Sequence, residues 1–153
     1  MGAVSPKIQE FATRIVSYEA GDDHSFTAKL RATFLVCEKL RLELIPLIGT
    51  SGFCALLLRA LALSSEDADW LPSVKVTEEG ILKGFEELNA KQIEEAFSAE
   101  VIALPAQFLG LLITLIGDRL TVQLLNGVWP KLELRNLEDS REYENKAHTH
   151  INP

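Results

Sequence analysis

Two stretches of this sequence carry apolar residues round nearly the whole circumference of a helix, and this limits what the chain can become more than any other feature. In the first, Phe53, Leu56, Leu57, Leu58, Leu61 and Leu63 leave only a narrow face of Gly52, Ala55, Arg59 and Ala62. In the second, Leu109, Leu111, Leu112, Ile113, Leu115, Ile116, Leu120, Leu124 and Leu125 point in every direction. A helix apolar on all sides must be surrounded by other apolar matter. A domain of 153 residues can wrap one such helix with a few amphipathic ones, and a second leaves apolar surface that a partner has to cover.

The amphipathic wrappers are legible. Ser5 followed by Pro6 is a cap with proline at the first helical position, and Ile8, Phe11, Ala12 and Ile15 then recur at helical spacing, which predicts a first helix over 6–18. Gly21, Asp22 and Asp23 break the pattern. Leu30, Phe34, Cys37, Leu40, Leu44 and Ile48 mark a second helix, interrupted on its apolar face by Arg41 and kinked by Pro46. Gly49-Thr50-Ser51-Gly52 reads as a tight turn opening the third helix, with Thr50 or Ser51 as cap.

Val74-Lys75-Val76 and Ile81-Leu82-Lys83 flank a Glu79-Gly80 turn and predict a small β-hairpin near 74–84. Asn89 with Gln92 resembles a capping box for a fourth helix. Pro105 marks a kink or the first turn of a fifth helix that continues to Asn126-Gly127 and stops before Trp129-Pro130. The reading is a mainly α chain, a compact bundle of about five helices over residues 1–130, followed by a charged tail over 131–153 that docks briefly and then loses order. No internal repeat stands out.

Composition narrows the functional classes. A hydrophobic share of 47% with 24% charged residues is that of a globular domain. A net charge of -7 and a pI near 5.0, with basic residues scattered, argue against nucleic acid as a partner. No basic region leads into an apolar run near Met1, and Pro6 stands where a myristoylation signal needs Ser or Thr, so a cytoplasmic location is expected. Val101 to Gly117 resembles a membrane span in length, but Pro105 and Gln107 lie inside it and Asp118-Arg119 follow directly. A buried core helix is the expectation there.

Chemistry-bearing patterns are sparse. Cys37 and Cys54 sit within apolar stretches and read as buried, free thiols. The only histidine outside the tail is His24, in a turn, so no base is placed near either thiol. His148 and His150 lack ligand partners at metal-binding spacing, and neither metal nor cofactor is expected. Glu78-Glu79, Glu86-Glu87 and Glu94-Glu95 look like solvated faces. Gln107, Thr114, Asp118 and Thr121 fall at helical intervals along the fifth helix, with Gly110 and Gly117 beside them. That stripe is either a solvent-facing strip or a buried polar seam fixing the register of a helix pair.

The runs Ile48 to Leu57 and Leu115 to Thr121, closed by Trp129-Pro130, resemble short bacterial helical proteins of no assigned function, and the likeness implies no activity or catalytic residues. The sequence therefore points away from an enzyme and towards a non-catalytic interaction or assembly module. A homodimer is expected, with Leu109, Leu112, Ile113, Ile116 and Leu120 as interface or pocket candidates. The alternative is a binder of a small apolar ligand in a pocket between the third and fifth helices.

Overall fold

The computed structural model describes residues 4–65, 74–84 and 98–135. It is mainly helical with one small antiparallel sheet. The capping box at Asn89 and Gln92 and the tail beyond 135 lie outside the described residues.

Helix α1 spans Pro6–Ala20. The Ser5 side chain accepts the Ile8 N–H at 3.2 Å, and the helix stops at Gly21, whose N–H still bonds the carbonyls of Ser17 and Tyr18 while its φ of 70° turns the following chain away. Phe11, Ala12, Ile15 and Val16 form its buried face, the i, i+1, i+4, i+5 spacing that keeps side chains on one side. Asp23 accepts the N–H of Ser25 at 2.9 Å, and Ser25 in turn caps the next helix.

Helix α2 spans Phe26–Ser64, so the expected second and third helices are one element with a kink between two arms, 26–48 and 50–64. Pro46 lacks the N–H that its turn needs, and Gly49 then leaves helical geometry at φ 82° and ψ 163°. That region is open essentially to glycine alone. The 50–64 arm is less enclosed than its composition suggests. Phe53, Leu57, Ala60 and Leu61 are buried, whereas Leu58 is 54% exposed.

The expected hairpin is present, with β1 (Lys75–Val76) and β2 (Leu82–Lys83) pairing Lys75 with Lys83 and Val76 with Leu82. Its turn lies on α2. Gly80 has φ +84°, and a Cβ there would come within 2.8 Å of the Phe53 ring, so conformation and space both demand glycine.

Helix α3 spans Ser98–Ile116, with Pro105 inside it rather than at its first turn. The expected fifth helix does not continue to Gly127. It ends at Gly117, which has φ 88° and ψ 163°, and a separate helix α4 runs over Asp118–Val128. A 3-10 turn over Pro130–Leu132 follows. Packing continues to buried Leu134, whose N–H and carbonyl are both held by the Asn126 amide at 2.8 Å.

Gly49 and Gly117 expose a duplication that the sequence reading missed. Leu44-Ile45, Leu47-Ile48-Gly49 and Leu56-Leu57 recur in register as Leu112-Ile113, Leu115-Ile116-Gly117 and Leu124-Leu125. The two glycines share nearly the same φ and ψ. Burial follows the same register. Thr33, Val36, Leu40, Leu44, Phe53, Leu57 and Leu61 are buried in the first unit, and Val101, Leu104, Phe108, Leu112, Thr121, Leu125 and Trp129 at the matching places in the second. The units pack on each other to form the centre of the core. The Thr33 hydroxyl donates to the Val101 carbonyl at 3.1 Å, joining the two units at matching positions.

Candidate interaction site

Between the 50–64 arm and α3, where the alternative reading placed a ligand pocket, the Phe53 and Phe108 rings meet at 5.6 Å with a 50° tilt. Leu109 and Leu112 are fully buried, and Ile113 and Ile116 are half-buried. Leu120 is exposed. The polar stripe is not continuous, because the break at Gly117 turns the chain between its members. Gln107 and Thr121 are buried, Asp118 is half-buried and Thr114 is exposed. The threonines satisfy themselves locally, the Thr121 hydroxyl donating to the Gly117 carbonyl at 2.7 Å and Thr114 to that of Gly110 at 3.0 Å.

One buried polar cluster has no signal in the sequence. The Glu19 side chain, at the end of α1, is only 7% exposed. It accepts the Trp129 indole N–H at 2.7 Å and is paired with the Lys39 ammonium. A buried indole needs an acceptor, and a buried carboxylate needs donors. The three residues thereby tie α1, α2 and the segment after α4 together. Arg14 adds a second tie, donating to the Leu132 carbonyl at 2.5 Å. Beside Glu19, a cleft of 330 Å³ opens at the α1–α2 elbow, lined by Asp23, Ser25, Arg31 and Leu35 among others.

The thiols differ. Cys37 is enclosed, and burial pushes its thiol up to about 12. Cys54 is half-buried, against the expectation of a core position, and lies beneath the hairpin turn with the carbonyls of Thr77 and Glu78 at 3.8 and 3.6 Å from its sulfur. Among the described residues no cluster of His, Cys, Asp and Glu is arranged to hold a metal ion. On the surface of α2, the Arg41 guanidinium grips Glu38 through two hydrogen bonds of 2.9 and 2.6 Å. That contact holds the Glu38 carboxyl below its ordinary range and raises Arg41.

The outer surface is where the chain departs from an ordinary domain. Leu42 is 61% exposed, Leu47 68% and Leu115 56%, with Leu35, Leu58 and Leu120 also outside. These leucines lie on α2 and next to the break at Gly117. Between Glu43 and Glu66 the sole charged residue is Arg59, itself exposed. By length and composition Thr27–Ser64 could cross a membrane, and 28% of its most apolar window is buried. Val101–Ile116, the stretch that looked most like a span in the sequence, is a shorter apolar helix and is buried along most of its length. No family model, no curated protein and no solved structure matches the chain.

Proposed function

We propose that this protein is a non-catalytic helical interaction and assembly module that works in the cytoplasm as a homodimer. The observation that supports this reading is the set of leucines that the fold leaves outside, Leu35, Leu42, Leu47 and Leu58 on α2 and Leu115 and Leu120 at the second break. Scattered exposed leucines need no explanation, but Leu47 and Leu58 lie on one helix with no charged residue between them, and Leu35 and Leu42 add to the same helix, which marks a surface to be covered. A two-fold pair is the commonest way for identical chains to do so.

Leu109 and Leu112 belong to the core and not to this surface. Light scattering coupled to gel filtration, run over a wide range of protein concentration, tests the reading. The expected mass rises above the 17.0 kDa of one chain towards twice that value. A mass fixed at one chain across the range overturns it.

A further inference from the structure

We propose that the cleft at the α1–α2 elbow binds a small primary ammonium ion on a short carbon chain, with the Glu19 carboxylate as its anchor. The site does not depend on how many copies of the chain assemble. The cleft measures 330 Å³ and opens to solvent, which puts it at the lower end of the range for ligand pockets. A small ligand is all it can hold.

What points to a ligand is the hydrogen bonding of Glu19. Its side chain is 7% exposed, and both of its donors, the Lys39 ammonium and the Trp129 indole N–H, reach the same oxygen, Oε2. Among the described residues Oε1 accepts no hydrogen bond. A carboxylate offers acceptor sites on both oxygens, and a buried one left without a donor is costly enough to need an explanation. Glu19 lines the cleft, so that space is where a donor can arrive.

The lining selects the donor. Asp23 adds a second carboxylate and the chain carries a net charge of -7, so a cation is favoured over a neutral molecule. Hydrogen bonds from a cation to a carboxylate are also roughly twice as strong as neutral ones. A metal ion would want several oxygen ligands, and among the described residues no His, Cys, Asp and Glu are gathered to hold one. An ammonium needs one good acceptor and room for its carbon chain. Ala28, Ala32 and Leu35 supply an apolar wall for that chain. Arg31 lines the same cleft, so an α-amino acid, which carries a carboxylate beside its ammonium, is one source of the group, and a simple amine is the other.

Titration calorimetry at neutral pH and fixed ionic strength, with n-butylammonium as the probe, tests the inference. Saturable binding with a Kd on the order of 1 mM is expected, as suits one charge-assisted contact and a few apolar ones. Butanol, which lacks the charge, and tetramethylammonium, which lacks the N–H, should bind at least about ten-fold more weakly. Glu19→Gln should weaken n-butylammonium by a similar factor. Ala28 is half-buried, and Ala28→Leu should fill the cleft and abolish binding while the Glu19 carboxylate and the melting temperature stay as they are. Free L-alanine separates the two sources. Tighter binding than n-butylammonium assigns the amino acid, weaker binding assigns the simple amine, and either supports the site. A heat that never saturates, or one that persists undiminished in Ala28→Leu, would mean that water alone meets Oε1, and the proposal falls.

Discussion

The two helix–glycine–helix units share a break and a register of buried positions, yet one is sealed and the other open. In the second, every residue of 101–109 is buried. At the matching places, 33–41, the first exposes Leu35 and leaves Phe34, Glu38, Lys39 and Arg41 half-buried, and just beyond them Leu42 is exposed where the second unit has half-buried Gly110. The difference lies in what each helix presents outward. Ala103, Ala106 and Gly110 of the second unit stand where the first has Leu35, Glu38 and Leu42. The small residues let α1 settle on α3, to the point that a Cβ on Gly110 would come within 3.3 Å of Val4. The first unit also packs on α1, where Lys39 reaches Glu19, yet its bulkier Leu35 and Leu42 stay outside. Burial in this molecule is thus decided less by how apolar a helix is than by whether its side chains are small enough to admit a neighbour.

The severest test of the duplication is at its centre. Leu44 and Leu112 occupy matching positions, each with 0% exposure. Leu44→Ala and Leu112→Ala should each cost about 2–5 kcal/mol in chemical denaturation at fixed protein concentration. Close agreement between the two would sharpen the equivalence. A large disagreement would show that the units share a sequence pattern but not a packing environment.

Next come the two breaks. Neither Gly49 nor Gly117 has an atom within 4 Å of where a Cβ would lie, so alanine there meets a conformational cost and no clash. Gly49→Ala and Gly117→Ala should each lose roughly 1–3 kcal/mol, the usual strain of a non-glycine residue in this region. Gly80→Ala should lose more, since its Cβ also collides with Phe53. Equal stability of Gly49→Ala and the unaltered protein would mean the first break is free to straighten into one helix.

These breaks also show where the sequence could be read and where it could not. The cap at Ser5 and the hairpin were legible because Ser-Pro and Glu-Gly impose local geometry whatever surrounds them. The first break was legible for the same reason, having Pro46 and two glycines close together. The second was not, because one glycine in a strongly periodic helix is ordinarily tolerated at about 1 kcal/mol, and Leu115-Ile116-Gly117-Asp118 holds no proline. The polar stripe through Gln107 and Thr121 failed with it. The repeat escaped notice because the units agree mainly at leucine and isoleucine, which a helical chain supplies anyway. The Glu19–Trp129 contact joins residues 110 apart, and no local spacing can announce it. The exposed leucines were anticipated as an excess of apolar surface on the two all-round apolar stretches, and Leu58, Leu115 and Leu120 are exposed there, whereas the candidates Leu109 and Leu112 are buried and Leu35, Leu42 and Leu47 were not singled out. Composition sets how much must be covered, and only packing sets which side is left bare.

Titration separates the units more gently. The first holds Cys37 where the second holds Pro105, and burial raises that thiol to about 12 from its ordinary value of 9.0. Between those values the unfolded chain has lost the proton and the folded chain keeps it. The folded state then binds more protons, and its stability must fall as pH rises. The thiol's contribution is fully present below pH 9.0 and is lost at up to about 1.4 kcal/mol per pH unit above it. Urea melts from pH 8 to 10.5 should show a steeper decline for the unaltered protein than for Cys37→Ala, whatever their absolute difference. Parallel curves would mean that the thiolate is tolerated inside.

The smallest effect, and the sharpest discrimination, comes from exchanging the residues that make one outer face apolar and the other polar. Asn126 spends its amide on both the N–H and the carbonyl of Leu134 at 2.8 Å, and Leu134 is buried. Asn126→Leu removes both partners and should cost about 1–3 kcal/mol, the usual penalty for leaving buried polar groups unmatched. Leu58, at the matching position, has its side chain largely in solvent. Leu58→Asn should therefore change the stability of the single chain by no more than about 0.5 kcal/mol, the range for surface sites with no special role. Thermal melts at low concentration, where association contributes least, measure this directly. A flat result there, with a mass that no longer rises at high concentration, assigns Leu58 to the contact between chains. A loss of several degrees would place Leu58 within the packing of its own chain, and the apolar face of the first unit would then be a requirement of the fold.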